Sequence, residues 1–113
     1  MLRDELPKIK TAQLPGPKAA EIIERRKNIV PNAIRCVYPC VMAKAEGAII
    51  EDVDGNYFLD WIGGVGVLNV GHTNPALVEA VKKQAEKYFH GMFNVVTHEG
   101  YIDLAEKLAA VAP

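Results

Sequence analysis

Gly47-Ala48-Ile49-Ile50-Glu51-Asp52-Val53-Asp54-Gly55-Asn56-Tyr57-Phe58-Leu59-Asp60-Trp61 holds two strand-like runs, 48–53 and 56–61, on either side of an Asp-Gly pair. Asp-Gly between two such runs predicts a hairpin, because a tight turn of that kind needs positive φ and Gly55 supplies it at little steric cost. The chain continues as Ile62-Gly63-Gly64-Val65-Gly66-Val67-Leu68-Asn69-Val70-Gly71-His72. So many glycines together imply that backbone must approach other backbone, or a ligand, closely.

Outward from the hairpin the chain reads as segments without repeats. Residues 1–17 include Pro7, Pro15, Gly16 and Pro17 and predict an extended arm, mobile unless it docks. Residues 18–28 alternate Ala19, Ala20, Ile22 and Ile23 with Glu21, Glu24, Arg25, Arg26 and Lys27, an amphipathic helix that Pro31 stops. The Arg25-Arg26-Lys27 cluster reads as a solvated helix face with Glu21 and Glu24 as partners. Residues 37–44 predict a third strand, giving an antiparallel sheet more viable than a hairpin alone.

A second helix is marked by Thr73 and Asn74 as caps and Pro75 at its first position, with Leu77, Val78, Val81, Ala85 and Tyr88 at helical spacing. A third begins near Thr97 with Glu99 in its first turn and a buried stripe of Tyr101, Leu104, Ala105, Leu108 and Val111. The fold class is α+β.

Composition narrows the partners. Of 113 residues, 50% are hydrophobic, and 13 Lys+Arg stand against 14 Asp+Glu, so neither a nucleic-acid footprint nor a polybasic membrane patch is implied. No apolar run reaches bilayer length, and acidic residues in Met1-Leu2-Arg3-Asp4-Glu5 do not suit a signal peptide, so the expected compartment is the cytoplasm. Cys36 and Cys40 match neither a redox pair nor a zinc knuckle and read as small apolar fillers.

Competing chemistries fail on spacing. Counted from Gly64, a dinucleotide fingerprint would need glycine where Asn69 stands, and no Gly-Lys-Ser/Thr ending exists for a phosphate loop. His72, His90 and His98 follow no metal-ligand interval, so no metal is expected. Asp54 belongs to a turn, and Asp52 and Asp60 straddle the hairpin, which does not suit paired acid–base work. The chain has no serine, and neither cysteine has a histidine beside it for hydrolase chemistry.

Four motifs occur in one order: Asp52-Val53-Asp54-Gly55-Asn56-Tyr57-Phe58-Leu59-Asp60, Gly63-Gly64-Val65-Gly66-Val67-Leu68-Asn69, Gly71-His72-Thr73-Asn74-Pro75, and Met92-Phe93-Asn94-Val95 with His98-Glu99-Gly100-Tyr101. Together they resemble the N-terminal part of class III, pyridoxal-phosphate-dependent aminotransferases, the 4-aminobutyrate branch most of all. One departure is Gly100, where the family often has proline.

The resemblance implies that residues 18–113 are an N-terminal small-domain segment of a fold type I enzyme. By the same resemblance, the large domain carrying the Schiff-base lysine, the acidic partner of the pyridinium nitrogen and the phosphate-cradling turn would lie outside residues 18–113. It implies a parent enzyme that passes the amino group of 4-aminobutyrate, or a similar ω-amino acid, to 2-oxoglutarate, and a segment inactive alone that does not bind pyridoxal phosphate specifically. Gly63, Gly64, Val65 and Asn94 would line the substrate pocket, with Val65 against the methylene chain where relatives often carry isoleucine, and Asn94 where they often carry glutamine. Asn69, Gly71 and His72 would lie near a homodimer interface, His72 making an ordering hydrogen bond. No catalytic residue is expected in this segment. Two alternatives remain: a class III enzyme acting on ornithine, acetylornithine or a diamine, and a non-catalytic oligomerisation module whose small residues serve close packing.

Overall fold

Asp52 and Asp60 end the strands of the hairpin, and their side chains explain why those strands are shorter than the sequence runs. The computed structural model describes Met1–Pro113 and gives three strands, β1 (Met42–Glu46), β2 (Ile49–Asp52) and β3 (Tyr57–Leu59), in one antiparallel sheet of order β1-β2-β3. The Asp52 carboxylate accepts the amide N–H groups of Asp54 and Asn56, and the Asp60 carboxylate those of Ile62 and Gly63, drawing these donors from the ladder into local turns.

The hairpin connection also differs from the expected two-residue turn. Gly55 donates to the Asp52 carbonyl, Asp52 donates to the Asn56 carbonyl, and Gly55 alone among the turn residues has positive φ, at 82°. Either primed two-residue turn would need positive φ at its first central residue, Asp54, so this is a longer loop closed by a left-handed glycine. The third strand exists but lies at Met42–Glu46 instead of 37–44, because Pro39 offers no N–H to a ladder. A bulge between Met42 and Lys44 interrupts its register with β2.

Helix α1 spans Pro17–Ile29, with proline at its start and Val30 as its C-terminal cap before Pro31. Its N-terminal amides are satisfied from the hairpin: Lys18 N–H donates to Asp54 Oδ1 at 3.0 Å and Ala19 N–H to Oδ2 at 2.9 Å. A carboxylate at that end is favoured by the helix dipole as well as by hydrogen bonding. Gly16 must stay small, since a Cβ there would stand 2.5 Å from Asp54 Cγ. Glu24 and Lys27 pair along the wet face at 2.7 Å.

The arm docks on the same hairpin. Leu2–Asp4 form a short 3-10 turn, Arg3 pairs with Glu46, and Lys8 exchanges two backbone hydrogen bonds with Tyr57. Lys10 and Thr11 amides donate to Asn56 Oδ1 at 2.7 and 3.1 Å, and the Lys10 ammonium lies 4.0 Å from the centre of the Tyr57 ring.

The chain divides into two compact units, Met1–Pro75 and Ala76–Pro113. The first buries Ala19 and Ile49 with the polar pair Asp52 and Asn56. Helix α2 (Pro75–Ala85) starts at the expected proline, and α3 (Glu99–Val111) begins two residues after Thr97, with His98 as its N-cap and Glu99 in the first turn. The α3 stripe expected to be buried is not: Tyr101, Leu104, Leu108 and Val111 are exposed, as are Leu77 and Val81 of α2 and Tyr88 just after it. No helix is long and apolar enough to cross a membrane.

Candidate functional site

Ile50 and Phe58, paired across β2 and β3, line an apolar cleft of about 410 Å³. Leu14, Tyr38, Pro39, Cys40, Leu59, Asp60, Trp61 and Ile62 complete its lining. Burial pushes the Cys40 thiol up from its ordinary pKa, which disfavours the nucleophilic thiolate. Cys36, expected as a filler, is exposed and donates its thiol to the Tyr38 carbonyl at 3.2 Å.

Among these lining residues Asp60 organises the chain. Its Oδ1 accepts the Ile62 and Gly63 amides, each at 2.9 Å, and its Oδ2 lies 2.7 Å from His72 Nε2. The Gly63 amide first, and His72 after it, hold the Asp60 carboxyl below the usual carboxylate range. A carboxyl so depressed stabilises the fold fully above the unfolded-chain value of about 4 and loses that contribution as pH falls through its folded value. Acidification should therefore lower the urea midpoint between neutral pH and pH ~3, and Asp60→Asn, which has no such proton to gain, should flatten that part of the profile.

Residues Gly63–Gly66 form one tight turn whose φ values are all positive: 55° at Gly63, 61° at Gly64, 62° at Val65 and 80° at Gly66. For three glycines this conformation is cheap. For β-branched Val65 it is an outlier of the kind that concentrates at functional sites. Its side chain is 87% exposed, so no packing within the chain accounts for the conformation.

The other expected site residues fall as follows. Gly63, Gly64 and Val65 follow Ile62 directly and do not line the cleft. Asn69 is exposed, after Leu68 closes the turn by donating to the Gly63 carbonyl. Gly71 has φ 81° and lies against the Gly47 backbone, while His72 exchanges two backbone hydrogen bonds with Gly47. Asn94 belongs to the second unit, exposed in a turn where Val95 and Val96 donate to the Met92 carbonyl. Beside it Phe93 stacks on Tyr101 with ring centres 4.2 Å apart.

Sequence reasoning missed Asp60 as an organiser, read Asp54 as a turn residue and placed Asp52 and Asn56 within the strand runs. Aspartate two residues ahead of Asp54 and of Ile62 is an Asx-turn signal that could have located both carboxylates. The reach of Asp54 to Lys18 and Ala19 carries no local signal.

A glycine turn beside an apolar cleft suits several chemistries, and comparison with known proteins separates them. The profile of the family "Aminotransferase class-III" matches residues 31–113. The chain belongs to the class-III aminotransferases. Among relatives, a "Probable 4-aminobutyrate aminotransferase" of Bacillus subtilis is 44% identical over 90 residues, 80% of this chain and 21% of that protein. An "Alanine/serine racemase" of Pyrococcus horikoshii is 41% identical over 110 residues, 96% of this chain and 23% of that protein. The crystal structure of an omega-transaminase from Sphaerobacter thermophilus matches with TM-score 0.69 and 31% identity, over 85% of this chain and 23% of that one. The chain thus spans about a fifth of the length of the curated relatives it matches.

Class-III aminotransferases depend on pyridoxal phosphate, which needs a lysine amine for the aldehyde carbon and a cationic or amide cradle for the phosphate. The cleft residues of this chain do not fit that group: they include neither lysine nor arginine, and the one carboxylate, Asp60, is engaged at both oxygens. Lys44, the lysine of the sheet, is paired with Glu51 at 3.0 Å.

Proposed function

We propose that this chain is the N-terminal segment of an aminotransferase that moves the amino group of 4-aminobutyrate, or a similar ω-amino acid, to 2-oxoglutarate. The observation that carries the reading is the 44% identity to the Bacillus relative named for 4-aminobutyrate. The segment contributes a wall of the substrate pocket through Gly63, Gly64, Val65 and Asn94. Asn69, Gly71 and His72 belong to a homodimer interface, and the enzyme works in the cytoplasm. Pyridoxal phosphate is held by the rest of the enzyme, and the segment alone turns over nothing.

The chemistry of the substrate suits this division. A short ω-amino acid has an apolar stem between two charged ends and calls for one apolar wall between polar grips. Val65, exposed within a left-handed turn, supports that role. The test is transamination by the enzyme carrying this segment, with 4-aminobutyrate and 2-oxoglutarate, following glutamate formation. Val65→Ile should lower kcat/KM for a five-carbon ω-amino acid relative to 4-aminobutyrate by about 10-fold, the effect of one methylene in an apolar pocket. An unchanged ratio would remove Val65 from the wall.

The racemase relative favours a second reading, since its match covers 96% of the chain. Interconversion of D- and L-alanine without any keto acid would establish it, whereas strict dependence on 2-oxoglutarate would exclude it.

A further inference from the structure

We infer that Asp60, backed by His72, is a positioning residue that holds the Gly63–Gly66 turn left-handed and so aims Val65, an assignment that rests on the reading of Val65 as a substrate wall. Left to itself, a valine leaves this region, because its branched Cβ crowds the following carbonyl. The turn's own hydrogen bonds, from Val65 and Gly66 N–H to the Ile62 carbonyl and from Val67 and Leu68 N–H to that of Gly63, join it only to itself. Asp60 supplies the connection outward. Its Oδ1 takes the first two amides, of Ile62 and Gly63, and its Oδ2 meets His72 Nε2.

His72 in turn is fixed to the sheet. Its N–H donates to the Gly47 carbonyl at 2.8 Å, its carbonyl accepts from Gly47 N–H at 3.0 Å, and Thr73 Oγ1 donates to the Ala45 carbonyl at 2.9 Å. A line of hydrogen bonds therefore runs from the β1–β2 connection through His72 and Asp60 to Gly63. Both Asp60 oxygens are engaged within the chain, Oδ1 by two amides and Oδ2 by His72, which assigns the pair to positioning.

The test reads geometry directly. In the full 113-residue chain labelled for NMR, the three-bond coupling between amide and α protons, together with the Cα and Cβ shifts, reports the Val65 backbone. Hydrogen exchange reports the Ile62 and Gly63 amides, and the Asn56 amide checks that the hairpin is intact. Asp60→Ala should move Val65 out of the left-handed region and cut protection of the two amides about 10-fold, the loss of one net hydrogen bond to a charged acceptor. Asp60→Asn keeps an oxygen at Oδ1 and should retain the Val65 conformation. Unchanged Val65 signals and protection in Asp60→Ala would overturn the proposal, as would equal loss in Asp60→Asn. Should Asp60→Ala open the hairpin too, His72→Ala decides: it leaves Asp60 in place but frees Oδ2, so a shifted Gly63 amide supports the assignment and an unmoved one overturns it. If the Val65→Ile selectivity ratio stays constant while these signals respond, the wall reading fails and the positioning role stands; the converse result separates them the other way.

Discussion

Asn56→Ala should cost about 3 kcal/mol of stability and release the N-terminal arm from the hairpin. Asn56 is fully buried and works at both ends of its carboxamide. Its Nδ2 donates to Asp52 Oδ2 at 2.8 Å, while its Oδ1 receives the Lys10 and Thr11 amides and the Thr11 hydroxyl. Alanine removes the acceptor for the arm and leaves an Asp52 oxygen, itself 1% exposed, without its donor. An unpaired buried carboxylate oxygen is the expensive part, because desolvation is no longer offset.

The orientation of the pair can be tested by exchange. Asn56→Asp alone would set two carboxylates where a 2.8 Å hydrogen bond now lies, and Asp52→Asn alone would set two amide NH₂ groups against each other. The double exchange Asp52→Asn with Asn56→Asp restores a donor facing an acceptor and keeps an oxygen toward Lys10 and Thr11. It should recover most of what either single change loses, a coupling of about 1–3 kcal/mol in a double-mutant cycle on urea midpoints. Additive losses would show that the two side chains do not act as a pair.

The same network explains what was legible in the sequence. The hairpin, α1 and the start of α2 depend on neighbours a few residues apart: Asp54-Gly55, Pro17 and Pro75 each act on their own backbone. The docking of the arm does not. Lys10 and Thr11 show no periodicity, and their acceptor stands 46 and 45 residues away, so nothing near them announces the contact. Strand ends were misplaced for a related reason: strand pattern was read through Asp52 and Asp60 as though their side chains were inert, whereas both take amides from the ladder.

Periodicity on α2 and α3 correctly found an apolar face but not its partner. Val81 and Leu108 stand exposed at 67% and 57%, so the spacing describes a surface that this chain does not itself cover. At the site, the glycine density pointed to close approach. That is met at Gly71, while the Gly63–Gly66 stretch serves a left-handed turn instead. The organising role of Asp60 is signalled in the sequence only by its place two residues ahead of Ile62, an Asx-turn spacing that acid–base reasoning does not register.

Gly71→Ala should then cost about 2–4 kcal/mol, the sum of a left-handed alanine and a forced separation of two backbone segments. The φ of 81° accounts for only part of it. A Cβ at Gly71 would stand 3.0 Å from the Gly47 carbonyl oxygen and 3.1 Å from its Cα, and backbone cannot rotate aside as a side-chain tip can. Gly47 is held there by its two hydrogen bonds with His72, so making room means lengthening both. Gly55→Ala provides the control. Its φ of 82° is nearly the same, yet nothing lies within 4 Å of the added carbon, so it should cost only about 1–2 kcal/mol for the left-handed backbone. The excess at Gly71, read from chemical denaturation of the two variants side by side, measures the close approach itself. Since His72 carries Asp60 through Nε2, Gly71→Ala should also weaken protection of the Gly63 amide, while Gly55→Ala leaves it unchanged. Equal costs for the two variants would mean that the Gly47–Gly71 contact yields without strain, and that the line from the sheet to the glycine turn is looser than its distances imply.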